Sequence, residues 1–483
     1  MAQQTWRPKE EASPEPLAMW EHVCRAAAAD TGRPGVLEHV DSVRIVYCQS
    51  WQYDDPTARL ADELGIEARH RHYSGIGGTT PHLLVQDAAA AMLRGELDLA
   101  LVAGAEALDT MRLFAKDGRT PAWSHAHPQA PPMPFEAPPH PAEIAHELSS
   151  ASLPFSLFDI GRRAARGVSP QDYRRSLGHL LSAMTEVAAT NPHAKFSFRR
   201  SADEIVTPTA ENRWINYPYT KWMVSVMDVD MAGALLLATH NKADELGIPA
   251  ERRVYLRGWC YAQDPVYLAE HPSFGASVAM REASSEALGM AGIGADDVAH
   301  LDLYSCFSAA VNLGRDALQL ADDDPRPLTV TGGLPYFGGP ASNYMTHSIA
   351  SIADVLRRDP GSYGIVSGVG MFMTKHVYGV YSTEPGPMTP PDDTAAQVRV
   401  DSVGRPEIVD TYDGPAVIAT YSVVHGRDGT PDGGFVICDL PSGARCYARI
   451  VDADLMAEAE EVELVGRAVQ LVPGDANVNV VKP

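Results

Sequence analysis

Gly77-Gly78-Thr79-Thr80 leads into a helical stretch ending near Arg94, after which the chain runs Leu99-Ala100-Leu101-Val102-Ala103-Gly104. The same order recurs at Gly338-Gly339-Pro340-Ala341, a helical stretch Met345 to Arg357, and Ile365-Val366-Ser367-Gly368. Each copy sets glycines before a helix N-terminus, whose unpaired N–H groups favour a negative ligand atom. Each then follows with an apolar strand that shows no polar alternation, the pattern of a sheet covered by helices on both faces. Two such segments in one chain predict a duplicated α/β core.

Outward from the first copy, apolar periodicity predicts a helix around Leu17 to Ala29, a strand Val43 to Cys48 and a helix Pro56 to Leu64. No apolar strand reads between Met1 and Pro16. Around the second copy the pattern gives strands near Gly233 to Thr239, Val254 to Gly258 and His300 to Tyr304, with helices Ala276 to Gly289 and Ser308 to Leu320. Between the copies, Pro128, Pro131, Pro132, Pro134, Pro138, Pro139 and Pro141 rule out regular elements, so Pro121 to Pro154 is expected to be a long loop or lid. A helix, Pro170 to Thr190, follows. Past Pro385 the texture changes. Prolines at 387, 390 and 391 lead into short strands, Gln397 to Val400, Ala416 to Val423, Gly434 to Asp439 and Ala444 to Ile450, and then a helix, Asp452 to Glu460. That order fits a small five-stranded barrel of the OB type. The expected units are 1–240, with a Pro-rich loop region at 116–225, then 241–385, then 386–483.

The chain's 483 residues exceed the roughly 250–300 at which a single core stops growing, in keeping with several packed units. A formal charge of −23 opposes nucleic acid and anionic membrane as partners. No apolar run approaches the ~20 residues of a membrane span, and Met1 to Glu11 has no apolar h-region, so a soluble, cytoplasmic protein is expected. The six cysteines are scattered, without a disulfide or metal-ligand spacing. The densest basic stretch, with Arg162, Arg163 and Arg166 at its head, is the candidate for meeting a phosphorylated cofactor; a solvated face is the plainer reading.

Several landmarks resemble the thiolase superfamily, chiefly its sterol-carrier-type branch and proteins labelled acetyl-CoA acetyltransferases. Arg94 to Glu106 is similar to the segment after the family's nucleophile. Asp228-Val229-Asp230-Met231-Ala232-Gly233-Ala234 resembles N-D-G-A-A, and Tyr304-Ser305-Cys306-Phe307 resembles N-E-A-F or H-D-C-F. Gly338-Gly339-Pro340 resembles G-H-P, and Val366-Ser367-Gly368-Val369-Gly370 the final C-x-G loop. The resemblance covers roughly Met1 to Thr383. It implies a thiolase-type α/β/α core of two βαβαβαββ halves, with the barrel akin to OB-fold partners that govern acyl-CoA entry.

Thiolase chemistry uses a cysteine nucleophile, an activating His, a second Cys, and an Asn or His at the oxyanion. The resemblance puts Gly78 at the nucleophile, Gly339 at the G-H-P histidine, Ser367 at the second Cys and Tyr304 at the Asn or His. Every one of the four roles is altered. Cys306 reads as a core thiol, and His347 and His376 as general-base candidates that could equally be satisfied core histidines. The phenols Tyr304 and Tyr344 could carry protons in a retro-aldol cleavage, as in thiolase-like aldolases, or could simply pack or touch substrate. The implied function is an acyl-CoA-binding, acyltransferase-like protein of lipid metabolism that lacks the thiolase nucleophile. The implied ligand groove joins Gly77, Gly78, Thr79, Gly338, Gly339, Tyr344 and Gly368, with CoA or acyl-CoA as ligand, and no tightly bound cofactor or metal is expected. A retro-aldolase acting through Tyr304 on a β-hydroxyacyl-CoA is one alternative. A non-catalytic scaffold, as a homodimer or beside a partner thiolase or lipid enzyme, is the other.

Overall fold

The computed structural model describes residues 1–8, 12–129, 131–148, 150–389 and 393–482. Lys9 to Glu11 and Pro390 to Asp392, which the sequence reading included in the N-terminal stretch and the linker, lie outside the described residues. In the first half β1 (Ala2–Trp6), α1 (Pro16–Asp30), β2 (Ser42–Ile45), α2 (Pro56–Leu64), β3 (His70–Tyr73), α3 (Thr80–Leu93) and β4 (Leu99–Ala107) follow in turn. β4 is buried at every residue, which its unbroken apolar run anticipates. A less regular stretch then carries α4 (Leu108–Lys116), α5 (Pro141–Ala145), α6 (Ser152–Ala165), α7 (Pro170–Thr190), α8 (Ala202–Val206), β5 (Trp214–Asn216) and β6 (Tyr219–Thr220). β7 (Asp230–Ala238) returns to the first sheet, whose order is β1-β7-β4-β2-β3. Its β1–β7 and β7–β4 pairs are antiparallel, and its β4–β2 and β2–β3 pairs are parallel.

The second half consists of α9 (His240–Glu245), β8 (Tyr255–Gln263), α10 (Val278–Ala291), β9 (Val298–Asp302), α11 (Ser308–Ala317), α12 (Tyr344–Arg358), β10 (Tyr363–Gly370) and β11 (Lys375–Ser382). Its sheet order, β8-β11-β10-β9, repeats the first sheet in sequence and direction without a counterpart of β3. The duplication is therefore present in the topology. α3 and α12 lie together between the sheets, and glycines let them approach. A Cβ at Gly104 of β4 would collide with Asn343 just before α12, and one at Gly379 of β11 with His82 of α3.

After α13 (Asp393–Asp401) come β12 (Gly414–His425), β13 (Pro431–Asp439), β14 (Arg445–Ile450), α14 (Ala453–Glu461), β15 (Ala468–Pro473) and β16 (Asn479–Lys482). The order β13-β14-β16-β15-β12, with β12 pairing back on β13, closes a five-stranded barrel of OB topology. α14 stands between the third and fourth barrel strands, capped by Asp452, whose carboxylate accepts the Leu455 N–H. The β5–β6 hairpin joins the same sheet, with Asn216 opposite Val424. The barrel sheet thus takes two strands from the middle of the chain.

Four expectations need correction. The chain does begin with a strand: Ala2–Trp6 pairs with β7, and its polar Gln3 and Gln4 hid it from a search for apolar runs. Gln397 to Val400 is not a strand. It lies in α13, where Ala396 and Val400, one turn apart, are the buried residues. The stretch Pro121 to Pro154, expected to be a loop, contains α5 and the first turn of α6, because Pro141 and Pro154 fall in first helical turns, where proline is tolerated. The strands β3, β5, β6, β11, β15 and β16 were not anticipated from the sequence. Among the described residues no helix is long and apolar enough to cross a membrane.

Candidate functional site

Four segments meet where α3 and α12 begin. Gly77 N–H donates to Ser342 Oγ at 3.0 Å, and Tyr304 N–H donates to Ser367 Oγ at 2.9 Å. A Cβ built on Gly78 would strike both the Tyr304 hydroxyl and the Val369 carbonyl, and one on Gly368 would strike Met345 and approach the Gly78 carbonyl. Gly77, Gly78, Thr79, Tyr304, Tyr344, Ser367 and Gly368 are thus brought together as the sequence implied, and all are buried. The packing leaves Gly78 no room for a side chain, because the phenol of Tyr304 already fills that space. Gly338 and Gly339 lie in the loop ahead of α12, and a Cβ at Gly339 would strike Ser225 Oγ, so this position too is shaped around glycine.

The two phenols meet edge to face, with centroids 5.5 Å apart. Tyr344 Oη lies 2.6 Å from Thr331 Oγ1 and donates to Asp302 at 3.1 Å. Burial pushes both phenols well above the ordinary tyrosine range, and Asp302 pushes Tyr344 the same way. Both therefore stay protonated at neutral pH and can give a hydrogen bond or a proton, but neither is a ready base. Burial also raises the Cys306 thiol, so the one cysteine in this segment is not a ready thiolate.

The histidines are engaged elsewhere. His347, in the first turn of α12, is fully buried, with Nδ1 3.0 Å from Gln3 Oε1 of β1 and its ring edge-on to Phe337; burial pushes it down to about 3. It is a neutral core imidazole. His376 Nε2 lies 2.9 Å from the Met373 carbonyl and 3.3 Å from buried Asp264. His82 on α3, which nothing in the sequence singled out, is completely buried with neither ring nitrogen hydrogen-bonded among the described residues, and burial lowers it to about 4.

The arginine stretch does not form a cradle for a cofactor. Arg162 is 3% exposed and clamps Asp316 at 2.6 and 2.9 Å, and Arg163 is 1% exposed and holds Glu463, Tyr217 and Tyr421. Arg166, exposed, shares Asp316 and Asp322 with Arg162. These guanidiniums tie α6 to α11 and to the barrel, so charge density along the sequence misled because its counter-ions come from distant segments. A guanidinium the sequence did not single out, Arg257 on β8, is 7% exposed and has no carboxylate partner among the described residues.

A family model for the thiolase-like protein type 1 additional C-terminal domain matches residues 396–475. The chain is similar to a solved monomeric SCP2-thiolase-like protein type 1 from Mycobacterium smegmatis, at 32% identity and TM-score 0.85, over 99% of this chain and 97% of that one. It resembles the acetyl-CoA acetyltransferase of Syntrophomonas wolfei at 14% identity and TM-score 0.55, over 77% of this chain and 94% of that one. It also resembles an Ltp2-ChsH2(DUF35) aldolase at 15% identity and TM-score 0.59, over 76% of this chain and 93% of that one. The last two likenesses concern the fold alone. No curated protein matches the chain.

Proposed function

Because the chain belongs to the SCP2-thiolase-like proteins of type 1, we propose that it is a non-thiolytic member, one that holds an acyl-CoA thioester at the converged loops and forms no acyl-enzyme. The observation that carries this reading is the Tyr304 phenol standing in the space a side chain at Gly78 would occupy. Acyl transfer through an enzyme-bound thioester needs a nucleophile at the head of α3. Backbone strain lends support. Ala341 (φ 45°), Met371 (φ 55°) and Met373 (φ 62°) all hold left-handed conformations in the loops around the site. Such residues cost on the order of 1–3 kcal/mol each and gather where loops serve a ligand. Gly75, exposed, and Ile76, Met371 and Phe372, half-buried, are the more accessible residues of the adjoining loops.

A second reading, retro-aldol cleavage of a β-hydroxyacyl thioester, draws on the meeting of Tyr304 and Tyr344. In that reaction the Cα–Cβ bond breaks, the β-hydroxyl proton goes to a base, and a neutral phenol can protonate the α-carbon. Because both phenols are held protonated, the base would have to come from elsewhere, which places this reading second.

Isothermal titration with CoA, acetyl-CoA and a long β-hydroxyacyl-CoA, with thiol and aldehyde products assayed on the same samples, tests the proposal. Saturable heats without products support it. Aldehyde or ketone release that is lost in Tyr304→Phe would transfer the function to the aldolase, and absence of heat with all three ligands would leave a scaffold role.

A further inference from the structure

A cavity of roughly 740 Å³ opens at the end of the core opposite the site just described. It lies between the C-terminal turns of α3 and α12, the end of β7 and the start of β8, and is lined by apolar side chains such as Val85, Met92, Leu237, Leu256, Trp259 and Ile349. α3 begins at the site, at Thr80, and lines the cavity from Val85 to Leu93. At 1.5 Å per residue the lining starts about 8 Å along the helix and ends about 20 Å along it, and none of the site residues named above lines the cavity. The volume falls within the about 300–1,000 Å³ of small-molecule pockets.

Arginines stand in its wall. The Met1 ammonium, Arg252 and Arg357 share Asp30, Arg357 also meets Asp354, and Arg253 pairs with Asp244. Arg257 has no such partner among the described residues. Its Nη1 reaches the Glu384 carbonyl at 3.0 Å and the Tyr363 hydroxyl at 3.4 Å, and its Nε is buried with no hydrogen-bond partner among the described residues. A guanidinium more than nine-tenths buried without a counter-ion is costly unless a ligand supplies the anion. The rest of the wall is largely hydrocarbon, with Thr31, Thr239, His240, Tyr255 and Tyr381 as its other polar side chains. An apolar cavity with one unpaired buried cation is complementary to a single chain carrying one negative head.

We propose that this cavity binds one long-chain fatty acid, with its alkyl chain between the ends of α3 and α12 and its carboxylate on Arg257. This site is separate from the thioester site proposed above and does not depend on it.

The test is displacement of fluorescent cis-parinarate from the full-length protein by palmitate, by methyl palmitate and by palmitoyl-CoA. Saturable binding of one probe per chain is expected, with palmitate displacing it and the uncharged ester weaker by about tenfold or more, the worth of a charge-assisted hydrogen bond. Arg257→Gln should bring acid and ester to the same affinity. The wild-type acid–ester comparison decides the matter even if that variant fails to fold, which a thermal unfolding scan would reveal. Absence of saturable binding, equal displacement by acid and ester, or displacement by palmitoyl-CoA alone would overturn the proposal. None of these outcomes bears on acyl-enzyme formation at Gly78, so the two readings fail separately.

Discussion

The Tyr304 hydroxyl occupies the space that a Cβ on Gly78 would need, and the Val369 carbonyl closes the same space from another side. A nucleophile therefore cannot be restored at the head of α3 by a single exchange. Gly78→Ala is expected to destabilise the fold by about 1–3 kcal/mol, as overpacking of a filled core does. Adding Tyr304→Ala should recover only part of that loss, because the Val369 carbonyl remains. Thermal and urea unfolding of the two variants check this, and full recovery in the double variant would show that Tyr304 alone sets the limit.

His347 provides a pH signature. Burial lowers it from 6.5 to about 3, so the folded chain favours the neutral ring. The unfolded chain takes up the proton first as pH falls. The stabilising contribution is therefore whole above about pH 6.5 and is lost progressively from there toward pH 3, at up to about 1.4 kcal/mol per pH unit. His347→Leu should lessen the slope of stability with pH by close to that amount between pH 6 and 4. An unchanged slope would mean that His347 is protonated in the folded protein.

Arg163 links the core to the barrel through Glu463, Tyr217 and Tyr421. Arg163→Ala should cost about 3–5 kcal/mol, toward the lower end because Glu463 keeps some solvent. Arg163→Lys should recover little, since an ammonium cannot reach all three partners from one plane. Limited proteolysis of the barrel, read beside thermal unfolding, separates loosening of this joint from global loss of the fold.

Much of the architecture was legible in the sequence, because fully buried strands such as Leu99–Ala107 advertise themselves as unbroken apolar runs. Edge strands do not. Ala2–Trp6 and His70–Tyr73 are recruited by backbone pairing and carry polar side chains, so nothing in their hydropathy announces them. Gln397-Val398-Arg399-Val400 alternates like a strand and yet is helical, since Ala396 and Val400 need a common face to bury. The meeting of Gly78, Tyr304, Ser367 and Tyr344 was implied by resemblance to a known family, whereas the filling of the Gly78 space by the Tyr304 phenol needed coordinates. Long-range pairing explains the remaining misreadings. Arg162 and Arg163 looked like a free cationic surface because Asp316 and Glu463 lie far along the chain, and Arg257 looked ordinary because nothing in the sequence shows that it has no carboxylate partner among the described residues.

The most direct test of the central claim is intact-mass measurement after incubation of the protein with acetyl-CoA and with acetoacetyl-CoA, with free CoA thiol followed on the same samples. The account predicts an unchanged mass, no thiol release above the protein-free control, and saturable binding of the same thioesters by titration. An acetyl adduct on any residue, or catalytic release of CoA, would contradict it.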